Sequence, residues 1–148
     1  MSKKAGTVVI AVDNSKFTPA VVEEAAEIAS LTGMSPVLVS VVRESVPQTL
    51  PEKIQSSLVK HEEEEFKELH EELNKKYFRR GKVEAESEIL HGDPAKEILE
   101  LADDLKANMI VMGTSGKGRL AGTLLGSVVA KVIRDSTCPV LVVKTKKE

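Results

Sequence analysis

Residues 108–112, NMIVM, form a short apolar run that suits a buried strand, and they lead directly into a loop crowded with glycine, GTSGKGRLAGT. Beyond the loop, Leu125, Val129, Val132 and Ile133 fall at i, i+4, i+7 and i+8, the stripe a helix needs to lie on a sheet. No other feature limits the possible folds of the chain as strongly as this order of strand, glycine loop and helix. The first amides of a helix have no partner within it, and aligned peptide dipoles place partial positive charge at that end. Phosphate suits such a position, so the unit reads as an anion cradle.

The spacing is Gly113-x2-Gly116-x9-Gly126-Ser127. Gly113 ends the strand where a side chain would block a ligand, and Gly116 can take the positive φ of a tight turn. Gly126 leaves the helix mouth open, and Ser127 can cap the helix or offer its hydroxyl to a phosphate oxygen. This is no P-loop, because Lys117 is followed by Gly118 rather than Ser or Thr, and the dinucleotide fingerprint GxGxxG is absent. Taken alone, the three glycines are also compatible with a plain strand-to-helix turn.

The remaining chain repeats the alternation. Residues 7–12, TVVIAV, are β-branched and almost continuously apolar, as in a strand covered on both faces. Asp13, Asn14 and Ser15 then turn the chain, and Thr18-Pro19 offers an N-cap with proline at the first helical position. Val22, Ala25, Ala26 and Ala29 give a small-residue helical face ending before Gly33, and residues 36–42, PVLVSVV, predict a second buried strand. Strand, helix and strand within about 30 residues imply a right-handed parallel crossover. Residues 50–80 predict a long, highly charged amphipathic helix through Ile54, Leu58, Phe66, Leu69, Leu73 and Tyr77. Its His61 and His70 stand beside glutamates without forming HExxH, so they are expected on a solvated face rather than at a metal. Val83, Ala85, Ser87 and Ile89 alternate with glutamates, as in an edge strand with one wet face. His91 is expected in a turn, with Asp93 capping a helix that begins at Pro94 and carries Ile98, Leu99 and Leu105 inward. The last helix runs to Asp135 and the last strand spans 137–144.

Five strands alternating with four helices in 148 residues predict one domain over 1–148, an α/β fold with a doubly wound parallel sheet and helices on both faces. Such sheets take ligands outside the carboxyl ends of strands where connections diverge. Twenty-one basic and 23 acidic side chains leave a net charge of −2, which gives no footprint for nucleic acid or an anionic membrane. The N-terminal MSKKAG carries no long apolar region, so neither a signal peptide nor a membrane span is expected, and a soluble cytoplasmic protein is. The single cysteine, Cys138, excludes an intrachain disulfide and fits a small apolar position in a strand.

With these residues in view, the chain resembles the universal stress protein family, in the branch carrying the G-x2-G-x9-G-[ST] nucleotide motif, and it matches all four fixed positions. VVIAVDNS, HGDPAKEI and TCPVLVVK fall in the family's order and extend the likeness over nearly the whole chain. The resemblance implies a Rossmann-like sheet of order 3-2-1-4-5, of the adenine nucleotide alpha hydrolase-like kind, with divergence between strands 1 and 4. It implies ATP as ligand, with triphosphate over Gly113, Gly116, Gly126, Ser127 and the amide of Val128. Asp13 would meet the ribose or lie near the base, or else simply cap the first helix. Val41 would pair its backbone with the adenine edge, and Ala11 and Met112 would line the pocket. A helix dipole contributes only ~0.3–2 kcal/mol where micromolar binding needs about 8, so several contacts must act together. Lys117 and Arg119 are expected in a solvated loop, and the roles of Thr114, Ser115 and Thr123 are not separable.

The resemblance also implies a stress-linked, regulatory homodimer paired through Val140–Val143, an apolar strand at a sheet edge. It permits Mg2+ bridging the phosphates. No Ser-His-Asp set or paired cysteine ligands accompany the loop, so dedicated catalysis is not expected. A slow Mg-dependent ATP hydrolase or nucleotidyl-transfer enzyme, and a nucleotide-free scaffold, are the competing readings. A two-component receiver would need an acidic pair where only Asp13 stands.

Overall fold

The β-branched front of the chain forms β1 (Thr7–Ala11), followed by α1 (Thr18–Thr32), β2 (Ser35–Val42), α2 (Glu52–Leu73), β3 (Glu86–His91), α3 (Pro94–Asp104), β4 (Met109–Gly113), α4 (Ser127–Asp135) and β5 (Val140–Val143). A computed structural model describes residues 6–43, 47–79, 83–114 and 125–144. All four strand pairings are parallel, and the order is β3-β2-β1-β4-β5. β1 therefore lies at the centre, and Val8, Val9 and Ile10 have no exposed surface.

Alternation of side chains divides the core between the two faces. Val8, Ile10, Val12, Leu38 and Val111 pack with Val21, Val22, Ala25 and Ala29 of α1 and with Leu73 of α2. Val9, Val39, Ile110 and Met112 pack with Ala95, Ile98 and Ala102 of α3 and with Val129 and Val132 of α4. Right-handed crossovers explain the division: the chain steps from β1 outward to β2 and β3 with its helices on one face. It then returns through β4 to β5 with its helices on the other.

Several local expectations shift. Gly33 ends α1 as foreseen, at φ 76° with its amide on the Ala29 carbonyl. The α1 N-cap, however, is Phe17 without a side-chain cap, because the buried Thr18 hydroxyl turns back to Asp13. Asp93 caps α3 by accepting the Lys96 amide at 3.0 Å, with Pro94 in the first turn. Leu105 points outward instead of into the core, since the α3 face that packs is Ala95, Ile98 and Ala102. Leu125, just ahead of α4, and Ile133 within it are likewise exposed, and Val128 joins Val129 and Val132 in the packing.

The long charged helix packs on its own sheet only through its C-terminal half, where Phe66, His70 and Leu73 are buried and a π-helical turn, Asn74–Phe78, buries Phe78. Ile54 and Leu58, expected on the same apolar stripe, stay 46% and 47% exposed. His70, expected in water, is inside. Val83 precedes β3, which starts at Glu86 and is an edge strand as its alternation predicted; β5 is the opposite edge. Among the described residues no helix is long and apolar enough to cross a membrane.

Candidate nucleotide crevice

Strands β1 and β4 are neighbours whose following helices go to opposite faces, so the carboxyl ends of these two strands bound the crevice of a doubly wound sheet. Their register pairs Ile10 with Val111, so Ala11 lies one step further on beside Met112. Ala11, Val41, Met112 and Val128 belong to one apolar cluster on the α3 and α4 face. Four of the residues singled out from the sequence are thus brought together there.

At the end of β1, Asp13 is half-buried in a local turn. Its Oδ1 accepts the Ser15 amide at 3.0 Å, and the Thr18 hydroxyl donates to its carbonyl at 2.7 Å with Oδ1 at 3.2 Å. The carboxylate therefore shapes the turn ahead of α1 instead of capping the first amides of that helix.

At the end of β4, Thr114 bridges the two sides of the glycine loop. Its amide donates to the Val143 carbonyl at 3.0 Å, and its carbonyl accepts the Gly126 amide at 2.8 Å. The start of α4 is thereby latched to the end of β4. Gly126 is the N-cap, and Ala130 makes the first bond within the helix, to the Gly126 carbonyl at 3.0 Å. The amides of Ser127, Val128 and Val129 consequently have no partner inside the helix. Ser127 does not cap: it is the first helical residue, one place too late, and α4 has no side-chain cap. Gly126 has φ −68° and ψ 157°, a conformation open to any residue, so what glycine supplies here is the missing Cβ. Gly116 lies outside the described residues, as do Ser115, Lys117, Arg119 and Thr123.

A polar relay, buried at Ser40 and His70 and open to the edge at Ser87, reaches the same crevice from the opposite face. The Ser40 hydroxyl donates to the Val12 carbonyl at 2.8 Å, His70 Nε2 is 2.8 Å from Ser40 Oγ, and His70 Nδ1 is 2.5 Å from Ser87 Oγ. A carbonyl only accepts, so the single Ser40 proton points at Val12 and Ser40 must accept from Nε2–H. Nδ1 then accepts the Ser87 proton. Both nitrogens are satisfied in the neutral ring, and burial pulls the His70 imidazole down to about 4. The sequence carried a signal for this position: His70 lies four residues after Phe66 and three before Leu73, on the inward stripe.

Around the rim, the Asp93 carboxyl is held below its ordinary value by the Lys96 amide first and then by Lys131, whose Nζ is 3.6 Å away, and by Arg43. His91 ends β3 and pairs with Glu63, so it is an anchor for α2 more than a turn residue. No group of three or more potential metal ligands occurs among the described residues.

A five-stranded parallel sheet wound in two directions, with a glycine-bordered helix start at the point of divergence, defines a Rossmann-like α/β protein. The model of the Universal stress protein family matches residues 4–144, and the chain belongs to that family. Universal stress protein YxiE of Bacillus subtilis is 31% identical over 143 residues, covering 91% of this chain and 96% of that protein. The structure of hypothetical protein MJ0577, from Methanocaldococcus jannaschii, superposes with a TM-score of 0.86 at 29% identity, covering 99% of this chain and 100% of that one. A universal stress protein crystallised in complex with cAMP gives 0.72 at 28% identity, covering 97% and 100%. Stretches of 46–53% identity to MJ0577 itself and to two further curated relatives span only 36–41% of those proteins' own length.

Proposed function

We propose that the chain is an ATP-binding, dimeric stress-response protein that holds the nucleotide at the divergence of β1 and β4. The observation that carries this reading is the latch between Thr114 and Gly126, which presents the amides of Ser127, Val128 and Val129, without partners inside the helix, beside the end of β4. Triphosphate oxygens would take those amides, with Gly113, Gly116 and Gly126 keeping the approach clear of side chains. Asp13 would stand near the ribose, and the Val41 backbone would meet the adenine edge, its amide donating to the ring nitrogen and its carbonyl accepting from the exocyclic amine. Ala11 and Met112 would line the base. The cAMP complex of a family member supports an adenine nucleotide as the ligand class. Mg2+ would neutralise phosphate charge when bound.

The dimer is proposed on β5. Val140, Leu141, Val142 and Val143 are all partly exposed at a sheet edge, and a symmetric copy would cover them. Light scattering coupled to size exclusion tests it: a monomer at micromolar concentration overturns the dimer. For the nucleotide, the experiment is mass spectrometry of ligand released from protein purified without added nucleotide, followed by calorimetry with magnesium ATP. ATP release, and heats that vanish in Gly126→Val, are expected. A silent titration of nucleotide-free wild type overturns the reading, and steady turnover of labelled ATP replaces binder by enzyme.

A further inference from the structure

We propose that Ser40, oriented by His70 and Ser87, is a positioning residue for base recognition: by holding the Val12 carbonyl it leaves the Val41 backbone amide open to the crevice. The inference rests on the adenine site proposed above and concerns what makes that site available.

In a parallel pair, a residue whose amide takes the carbonyl of residue j−1 normally offers its own carbonyl to the amide of j+1. Val12 fulfils the first half, donating to the Val39 carbonyl at 2.9 Å. The second half would join the Val12 carbonyl to the Val41 amide and carry the ladder one rung past Ala11. β1 stops at Ala11 instead, and among the described residues the hydrogen bond to the Val12 carbonyl comes from the Ser40 hydroxyl at 2.8 Å. β2 continues to Val42 because β3 pairs with it to the end, through Val41 with Leu90 and Val42 with His91. Val41 therefore projects one rung beyond β1 with its amide and carbonyl turned to the side that β1 has vacated. It is half-buried, within the cluster that includes Ala11 and Met112.

The Ser40 hydroxyl has one proton, and its direction is fixed from outside. His70 Nε2–H occupies the Ser40 lone pairs, and Ser87 holds the other ring nitrogen. Ser40 and His70 are each 2% exposed, so water does not compete for the Ser40–His70 contact, whereas Ser87 lies at the exposed edge of the sheet. A serine free to rotate could release the Val12 carbonyl; one that must accept from His70 points its proton at Val12. The relay thus connects the β3 edge and α2 to the terminus of β1, where the fold itself needs no such bond because a regular rung would satisfy the same carbonyl.

The test is a comparison of amide hydrogen exchange by NMR in the whole chain, without nucleotide, for wild type and Ser40→Ala. Val41 should exchange about tenfold or more faster than Val39 in wild type, and Ser40→Ala should slow it toward Val39 as the rung closes. Ser40→Thr, which keeps the hydroxyl, should restore fast exchange. Because Ser40→Ala orphans the Nε2–H of His70, a Ser40→Ala/His70→Leu chain repeats the comparison if the single variant does not fold. Binding is read in parallel: Ser40→Ala should weaken ATP about fivefold and leave GTP unchanged, since only adenine is matched by an amide donor beside a carbonyl acceptor. Equal Val41 exchange in wild type and Ser40→Ala overturns the proposal. If the rung closes and wild type binds no adenine nucleotide, the proposed function fails instead, and the two failures are told apart because the exchange arm needs no ligand.

Discussion

His70 should make the fold acid-sensitive well above the range in which carboxylates titrate. Its ordinary value of 6.5 falls to about 4 in the folded chain because burial disfavours the imidazolium. Above pH 6.5 neither state holds the proton and the group contributes nothing to the pH dependence. Below it the unfolded chain takes up a proton that the folded chain refuses, so stability is lost as pH falls from 6.5 and levels off below about 4. Converted through 1.36 kcal/mol per unit, the full loss is about 3 kcal/mol, of which about 2 kcal/mol has appeared at pH 5. That is a large share of the 5–15 kcal/mol typical of a folded domain. The assay is urea unfolding of wild type and His70→Gln at pH 7.5 and pH 5. Gln carries no titrating proton, so His70→Gln should be less stable at pH 7.5 and should close about 2 kcal/mol of that gap at pH 5. Parallel pH dependences in the two proteins, or a His70 imidazole titrating by NMR above pH 6, would refute the assignment of a buried neutral ring.

Three further outcomes are expected. Ile110→Ala empties a fully buried position between β4 and the α3 and α4 face and should cost about 2–5 kcal/mol in urea, whereas Leu31→Ala, at a side chain 80% exposed, should stay within about 0.5 kcal/mol. Gly6→Ala should cost about 1–3 kcal/mol by the same measurement, because Gly6 has φ 110° and an added Cβ would overlap the Asn108 carboxamide that accepts the Thr7 amide. Asp93→Ala should lower the thermal midpoint at neutral pH by removing the α3 cap. The carboxylate's folded value is depressed, so that difference should be full above the ordinary aspartate range and be lost as pH falls below that range through the lowered folded value.

The parts of this fold that could be read from the chain were those set by a period or by local turn chemistry. Apolar runs marked β1, β2 and β4 as buried strands, the glutamate alternation marked β3 as an edge, and Gly33, Asp93 and Pro94 marked helix ends with their own backbone geometry. Strand order came from the family resemblance, since parallel pairing partners leave no local trace. What failed was the finer assignment of side chains to faces. Leu105, Leu125 and Ile133 stand next to helix ends, where the packing neighbour has run out and an apolar residue gains nothing by its period. His70 was misjudged by composition: a helix crowded with glutamate reads as solvated, yet its inward stripe is decided by what it meets, and Ser40 and Ser87 supply a neutral histidine with two partners. Ser127 and Thr18 were misplaced by one residue each, because a hydroxyl at a helix start serves equally as cap or as turn partner until the backbone angle is known.

The two edges of the sheet are treated oppositely, and that asymmetry bears on how a copy of the chain could add to it. β3 is lined by Glu86 and Glu88 and is joined to α2 through the Ser87–His70 contact and the His91–Glu63 pair. A second β3 laid against it would bring like charges together, which blunts an edge against pairing. β5 carries only valine and leucine over its four residues, with Leu141 and Val143 turned to one face and Val140 and Val142 to the other. Its hydrogen bonds to β4 use one side of its backbone, and nothing charged within the strand opposes a partner on the other. The same strand anchors the glycine loop, because the Val143 carbonyl accepts the Thr114 amide whose residue latches Gly126. Covering β5 would therefore stiffen the frame that holds the start of α4, so the proposed dimer and the proposed nucleotide site share a structural element, and occupancy of one should be felt at the other.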